Sequence, residues 1–166
     1  MTQTQHAPHR RAFLFTGAAL GLVIAAPAFA DERAFANAPQ RKVTYAEWQR
    51  MLPPTSFAVL RQEATEQPFT SPLLNEHRVG TFACLACGLP LFKSDWKYDS
   101  HTGWPSFYEA IKANLGTKRD FQIIEERTEY HCARCLGHQG HVFDDGPRPT
   151  GLRYCNNGVA LKFIPA

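Results

Sequence analysis

The 166-residue sequence has no internal repeat, no low-complexity tract and no apolar run as long as the roughly 20 residues a membrane-spanning helix needs. A repeat architecture is therefore excluded, and a cleaved leader is expected in preference to a retained membrane anchor. Excess charge of one sign is also scarce. Lys+Arg 18 against Asp+Glu 15 leaves a formal +3, of which Arg10 and Arg11 account for all but +1. That is too little for the basic patch that sequence-independent nucleic-acid binding requires, so no nucleic-acid partner is expected. Twelve prolines and eleven glycines argue against a helical bundle and for a loop-rich fold built on strands. What the sequence does have is aromatic: three tryptophans and twelve phenylalanines exclude a disordered chain and support one globular domain.

Acids are missing from residues 1–30. There His9-Arg10-Arg11-Ala12-Phe13-Leu14 leads into an apolar run from Ala12 to Ala26, and Pro27-Ala28-Phe29-Ala30 precedes Asp31. A charged start, a short apolar stretch and an A-x-A site form a secretory signal. Paired arginines followed by x-Phe-Leu resemble the twin-arginine type, whose route exports folded proteins. The expectation is a signal peptide over 1–30, an Ala/Pro linker over 31–42, a domain over 43–166 and a periplasmic location.

Cysteine comes to five, Cys84, Cys87, Cys132, Cys135 and Cys155, and an odd number in an oxidising compartment leaves a thiol unpaired. Four of them form two C-x-x-C pairs separated by 44 residues. Two such knuckles supply the four thiolates of a tetrahedral structural zinc site. The alternatives are a disulfide within each pair, which closes a tiny loop with little entropic gain, and a mixed site that uses His138 or His141.

Thr44-Tyr45-Ala46-Glu47 predicts a capped helix with Tyr45, Trp48 and Leu52 on one face, stopped by Pro53. A second short helix is expected over Ser56–Ala64. Further on, β-branched and aromatic runs bounded by Gly, Pro and Asp predict strands at Gly80–Cys84, Phe121–Cys132 and Leu152–Phe163. The fold class is mainly β, an α+β chain with an antiparallel core and the knuckles at strand ends. Asn157-Gly158 reads locally as a tight hairpin turn between Tyr154–Asn156 and Val159–Phe163.

Three stretches carry chemistry. An extended run around Cys155 puts Arg153, Cys155 and Asn157 on one face, where the arginine favours the nucleophilic thiolate. The same residues are compatible with an inert buried cysteine. Between Gly137 and Pro147 lie His138, His141 and Asp145. An imidazole there can donate a proton to a substrate oxygen, oriented and made more basic by a carboxylate such as Asp145; equally, both histidines can be satisfied by backbone carbonyls. Finally, Trp104 in the Gly/Pro loop Ser100–Tyr108 is either a core tryptophan or an indole wall suited to a methyl group beside a nucleophile.

The ordered motifs Thr65-Glu66-x-Pro68-Phe69, Cys84-x-x-Cys87-Gly88, Gly103-Trp104-Pro105-Ser106-Phe107, Cys132-x-x-Cys135, Gly140-His141-Val142-Phe143-Asp144-Asp145-Gly146-Pro147 and Thr150-Gly151-Leu152-Arg153-Tyr154-Cys155 closely resemble the methionine-R-sulfoxide reductases, the MsrB family. The resemblance runs from about Val43 to Phe163. It implies two antiparallel sheets with short N-terminal helices and one zinc ion on Cys84, Cys87, Cys132 and Cys135. By residue-for-residue match, Cys155 is the catalytic cysteine and His141 the proton donor to the sulfoxide oxygen. His138, Asp145, Arg153 and Asn157 surround them, and Trp104 with Phe143 receives the substrate methyl end. The implied substrate is oxidised methionine, in proteins by expectation.

The sequence departs from the family pattern at one place that bears on turnover. Many members carry a resolving cysteine just before the Gly-Trp-Pro-Ser-Phe motif, where this chain has His101-Thr102. Asn156 and Gly158 also differ from the usual Ile and Ser around the family's asparagine. With four thiols on zinc, the resemblance implies a one-cysteine enzyme whose sulfenic acid is reduced by an external thiol or thioredoxin-like reductant, working as a monomer. The competing class is a non-catalytic zinc-stabilised protein-binding module, which leaves Cys155 without a purpose. A zinc hydrolase is disfavoured because a four-sulfur site has no open position for water.

Overall fold

The computed structural model describes residues 29–121 and 126–166. Nearly all of the expected signal peptide therefore lies outside the described residues, as do positions 122–125 of the strand expected at Phe121–Cys132.

Two helices come first. The Thr44 side chain accepts from the Glu47 N–H, and the Glu47 carboxylate accepts from the Thr44 N–H at 2.7 Å, a reciprocal cap that starts α1 (Tyr45–Met51). Trp48 and Leu52 are buried as expected, whereas Tyr45 is 55% exposed and rests edge-on against Phe57. α2 (Pro54–Gln62) begins two residues before the expected Ser56. A proline in the first turn gives up an N–H that has no helical partner anyway.

Nine strands follow among the described residues: β1 (Gly80–Cys84), β2 (Pro90–Lys93), β3 (Lys97–Tyr98), β4 (Ser106–Phe107), β5 (Leu115–Asp120), β6 (Arg127–Cys132), β7 (His138–Phe143), β8 (Arg153–Asn156) and β9 (Leu161–Pro165). They form two antiparallel sheets, in the orders β2-β1-β9 and β3-β4-β8-β7-β6-β5. The inner faces meet through aromatic rings. Phe92 of β2 stacks on Phe107 of β4 at 4.1 Å, Phe82 of β1 meets Phe107 at 5.0 Å, and Tyr130 packs edge-on against Tyr154. These rings are fully buried, so the core that joins the sheets lies directly beneath the strands that carry the site.

The hairpin expected at Asn157-Gly158 does not form. A two-residue hairpin turn of this type needs positive φ at both positions, and Asn157 has φ −66°. Its backbone N–H and its side-chain amide both donate to the Gln139 carbonyl, at 2.9 Å each, while the Gly158 N–H is held by the Glu66 carboxylate. These tertiary hydrogen bonds override the local preference. The chain makes a 3-10 turn at Gly158–Ala160 and passes from β8 in one sheet to β9 in the other.

Residues 31–42 are folded down onto the domain. Two 3-10 turns, Glu32–Phe35 and Pro39–Lys42, bring Arg41 to the second knuckle, where its guanidinium donates to the Ala133 carbonyl at 2.7 Å and the Arg134 carbonyl at 3.1 Å. Arg41→Ala is expected to destabilise the fold by about 1–3 kcal/mol, the cost of leaving part-buried carbonyls unpaired. The check is a lower urea midpoint at unchanged m-value, with faster zinc release to a chelator.

Candidate active site and metal centre

Both knuckles are built alike at strand ends. Cys84 ends β1 and Cys132 ends β6, and the carbonyl of each accepts an N–H four residues on, from Gly88 and Leu136, at 2.8 Å in both cases. The turns close through left-handed residues, Gly88 at φ 72° and Leu136 at φ 60°. The four sulfur atoms lie within 4.8 Å of one another, with Cys84 to Cys135 at 3.7 Å and Cys87 to Cys132 at 3.4 Å. Ligands about 2.3 Å from a tetrahedral zinc stand about 3.8 Å apart, whereas a disulfide needs about 2.05 Å. The donor set therefore fits a structural zinc ion. His138 and His141 are engaged elsewhere and take no part in this cluster.

The second centre arises from register. β7 pairs with β8 so that His141 faces Cys155, and β8 pairs with β4 so that Cys155 faces Ser106. Directly opposed residues project to the same side of a sheet, so imidazole and thiol share a face. Gly140 permits the close approach, since a Cβ there would fall 1.9 Å from the Cys155 carbonyl oxygen. Over this face is a cavity of about 110 Å³ lined by Trp104, His141, Phe143, Cys155 and Asn157, together with Thr65, Arg127, Gly140 and Asn156. It is far smaller than a drug-sized site and suits the end of a single side chain. The Trp104 indole N–H donates to the Glu66 carbonyl at 2.9 Å, which fixes the ring as a wall.

The carboxylate that orients His141 is Asp120, not Asp145. His141 Nε2 and Asp120 Oδ2 are 2.6 Å apart, and the same oxygen accepts from Arg127 at 2.7 Å. Asp145 instead grips Arg153 with both oxygens, at 2.8 and 2.7 Å. The expected rise in histidine basicity is also reversed. Burial pushes the His141 pKa down and the nearby Arg127 charge adds to this, which outweighs the hydrogen bond to Asp120. At neutral pH His141 is therefore a neutral imidazole whose Nε2–H donates to Asp120.

Cys155 differs from expectation in the same way. Arg153 and the Thr102 hydroxyl do pull its pKa down, but burial is the larger effect and the thiol titrates above its ordinary range. The resting group is a thiol. Thr102 is itself tied to Ser100 at 2.8 Å, and Ser100 to Ser106 at 2.7 Å.

Cys155, His141, Trp104, Phe143 and Asn157 reach the cavity, while His138, Asp145 and Arg153 do not line it. His138 sits behind His141, rings 5.5 Å apart, with Nδ1 2.8 Å from the Glu129 carboxylate. Glu129 also meets His131 at 2.9 Å; burial favours its neutral form, yet the two histidine hydrogen bonds hold its pKa at about 2. Arg153 lies over the Phe143 ring at 4.3 Å, near enough to the Cys155 thiol to favour its thiolate form. Asp120 and Arg127 escaped sequence reasoning because nothing local marks them: they face each other across β5 and β6. Glu66 did carry a signal, inside the quoted Thr65-Glu66-x-Pro68-Phe69 motif.

A family model described as the SelR domain matches residues 52–165. A peptide methionine sulfoxide reductase MsrB of Bradyrhizobium diazoefficiens is 52% identical over 120 residues, covering 72% of this chain and 86% of that protein. The chain belongs to the MsrB family of methionine-R-sulfoxide reductases. Another MsrB, of Leptospira interrogans, is 51% identical over 118 residues, covering 70% of this chain and 90% of its own length. Peptide methionine sulfoxide reductase B1, chloroplastic, of Arabidopsis thaliana is 50% identical over 117 residues, covering 70% and 58% respectively. As an MsrB-family enzyme, a peptide-methionine (R)-S-oxide reductase, the chain reduces methionine sulfoxide with a thiol reductant. In this member the residue immediately before Gly103 is Thr102, so a hydroxyl and not a second thiol stands against Cys155.

Proposed function

We propose that this chain repairs R-epimeric methionine sulfoxide in exported proteins through a Cys155 sulfenic acid, recycled by an external thiol. The observation that carries the reading is the register pairing of Cys155 with His141 beneath a small cavity walled by Trp104 and Phe143. The S-methyl group lies against the indole, and the sulfoxide oxygen points toward His141. Methyl, oxygen and chain are thereby told apart, which selects one epimer.

Thiol and neutral imidazole share one proton, and one proton is what the first step consumes. The Cys155 thiol proton passes to His141 and on to the sulfoxide oxygen as the cysteine sulfur attacks. The substrate S–O bond breaks as the protonated oxygen bonds to the Cys155 sulfur, so methionine leaves as the thioether and Cys155 carries the hydroxyl as a sulfenic acid. The methionine sulfur gains two electrons and the cysteine sulfur loses two. An external thiol then forms a mixed disulfide with loss of water, and a second thiol releases Cys155 together with the oxidised reductant. Cys84, Cys87, Cys132 and Cys135 would hold a zinc ion whose contribution is structural, outside these steps.

The Arg10-Arg11 signal motif supports export by the twin-arginine route, with a mature chain from Asp31 acting in the periplasm as a monomer on oxidised proteins. Mass spectrometry of the exported protein should find Asp31 at the N-terminus.

The deciding experiment supplies residues 31–166 with separated R and S epimers of a methionine sulfoxide peptide and dithiothreitol. Only the R epimer should turn over. Without reductant, peptide mapping should find oxidised Cys155 and no disulfide from Cys155 to another cysteine of the chain; turnover of S, or an intrachain Cys155 disulfide, would contradict the scheme.

The pH dependence follows from the signs already given. Activity needs the Cys155–His141 pair to hold one proton, so it falls below the pKa of His141 and above that of Cys155. The first is lowered and the second raised. The single-turnover rate should therefore stay level from below about 6.5 to beyond about 8.5, the ordinary histidine and cysteine values. An acid limb centred above the ordinary histidine value would rule out this assignment.

A further inference from the structure

One buried residue outside the cavity is bonded to both of its sides. Glu66 donates its backbone N–H to Asn157 Oδ1 at 2.8 Å and accepts the Trp104 indole N–H on its carbonyl at 2.9 Å. Its carboxylate oxygen Oε2 accepts the Gly158 N–H at 2.5 Å and the Val159 N–H at 3.4 Å. The segment around it is pinned as well. The Phe69 N–H donates to the Gly103 carbonyl at 2.8 Å, and Ser71 packs so tightly on Gly158 that a Cβ there would lie 1.8 Å from its hydroxyl. The loop that carries Trp104 and the turn that follows Cys155 come from distant parts of the sequence. Glu66 is where they are joined.

Building on the reductase reading, we propose that Glu66 is a positioning residue for the sulfoxide site. Its carboxylate fixes the turn Asn157–Val159, its main chain fixes Trp104, and together these set the gap between the indole wall and the Cys155 sulfur. Withdrawing the carboxylate leaves the buried Gly158 N–H without its acceptor and frees the part-buried Val159 N–H, so the turn and the Glu66 backbone shift against each other. Trp104 and Asn157 then lose their common reference. A displacement of about 1 Å at a reacting centre lowers a rate by up to about a hundredfold.

The test uses Glu66→Ala, Glu66→Asp and Glu66→Gln in zinc-loaded protein. Three readouts are compared: single-turnover rate at saturating R-sulfoxide peptide, KM for that peptide, and the indole ¹H–¹⁵N resonance of Trp104, assigned with Trp104→Phe. Alanine and aspartate, which lack the acceptor or withdraw it, should lower the rate about tenfold to a hundredfold, raise KM and move the indole resonance. Glutamine keeps an amide oxygen for the Gly158 N–H and should restore the rate to within about threefold of the parent. A merely structural role would lower thermal stability without moving KM or the indole resonance. The proposal is overturned by folded alanine and aspartate variants with parental rate, KM and resonance, or by a glutamine variant as impaired as alanine. If alanine does not fold, aspartate against glutamine decides. If the parent protein turns over neither epimer, the reductase reading fails, and the indole resonances of the aspartate and glutamine variants still report whether the carboxylate holds Trp104.

Discussion

Cys155→Ser is expected to lower sulfoxide reduction by on the order of 10⁴-fold or more while leaving fold and zinc content unchanged. A serine hydroxyl is hardly ionised at neutral pH, and its oxygen cannot carry the oxidation state that a sulfenic sulfur does, so neither half of the cycle remains. The substitution is structurally mild. The Thr102 hydroxyl and the Arg153 guanidinium lie near the sulfur and are both able to bond a serine oxygen, and the four cysteines of the knuckles are untouched. Measuring zinc per chain beside the rate separates a lost nucleophile from a lost fold. A serine variant retaining more than about a hundredth of parental turnover would move the chemistry to another residue.

Cys132→Ser should do the opposite and remove the fold itself. Cys132 is fully buried at the end of β6 and shares the cluster with Cys84, Cys87 and Cys135. A structural four-sulfur zinc contributes apparent binding free energies of about 10–16 kcal/mol at neutral pH. A domain of this size is stable by only about 5–15 kcal/mol. A three-thiolate remnant with weakened zinc leaves uncompensated negative charge between the sheets. The expected outcome is loss of zinc and of near-ultraviolet circular dichroism together, with no sulfoxide turnover, and the same result when the parent protein is treated with a strong chelator at elevated temperature. A cooperatively folded, zinc-free Cys132→Ser protein would show the metal to be dispensable.

Much of this was legible in the residues. The two C-x-x-C pairs specify their own partner by chemistry, because four thiolates have few other stable uses. Gly80–Cys84 emerged with its expected bounds, and the Thr44 capping box announced α1. What local pattern could not supply was pairing between distant strands. Asn157-Gly158 has hairpin chemistry, yet Glu66 and Gln139, far away in sequence, take its hydrogen-bonding groups and send the chain into the other sheet. Likewise Asp145 lies four residues from His141 and was the natural candidate to orient it. The ring is reached by Asp120, at the end of β5, because His141 faces Glu129 on β6 and β6 in turn pairs with β5. The pKa directions were also hidden. Arginine beside a thiol argues for a thiolate, and the burial of Cys155, with a smaller push from the Asp145 charge, reverses the balance.

The open margins of the two sheets bear on how the molecule behaves among its own kind. Their outermost strands are β2 and β9 in one sheet and β3 and β5 in the other. β2 begins with Pro90 and ends with Lys93, and β9 carries Lys162 and ends at Pro165. β3 is only two residues long, and β5 exposes Thr117, Lys118 and Arg119. Proline withholds a donor, lysine and arginine repel a like copy, and a short strand gives no template. Among the described residues, addition of a further strand is thus discouraged at these margins, and the backbone there does not invite the cross-β pairing through which exposed sheets aggregate.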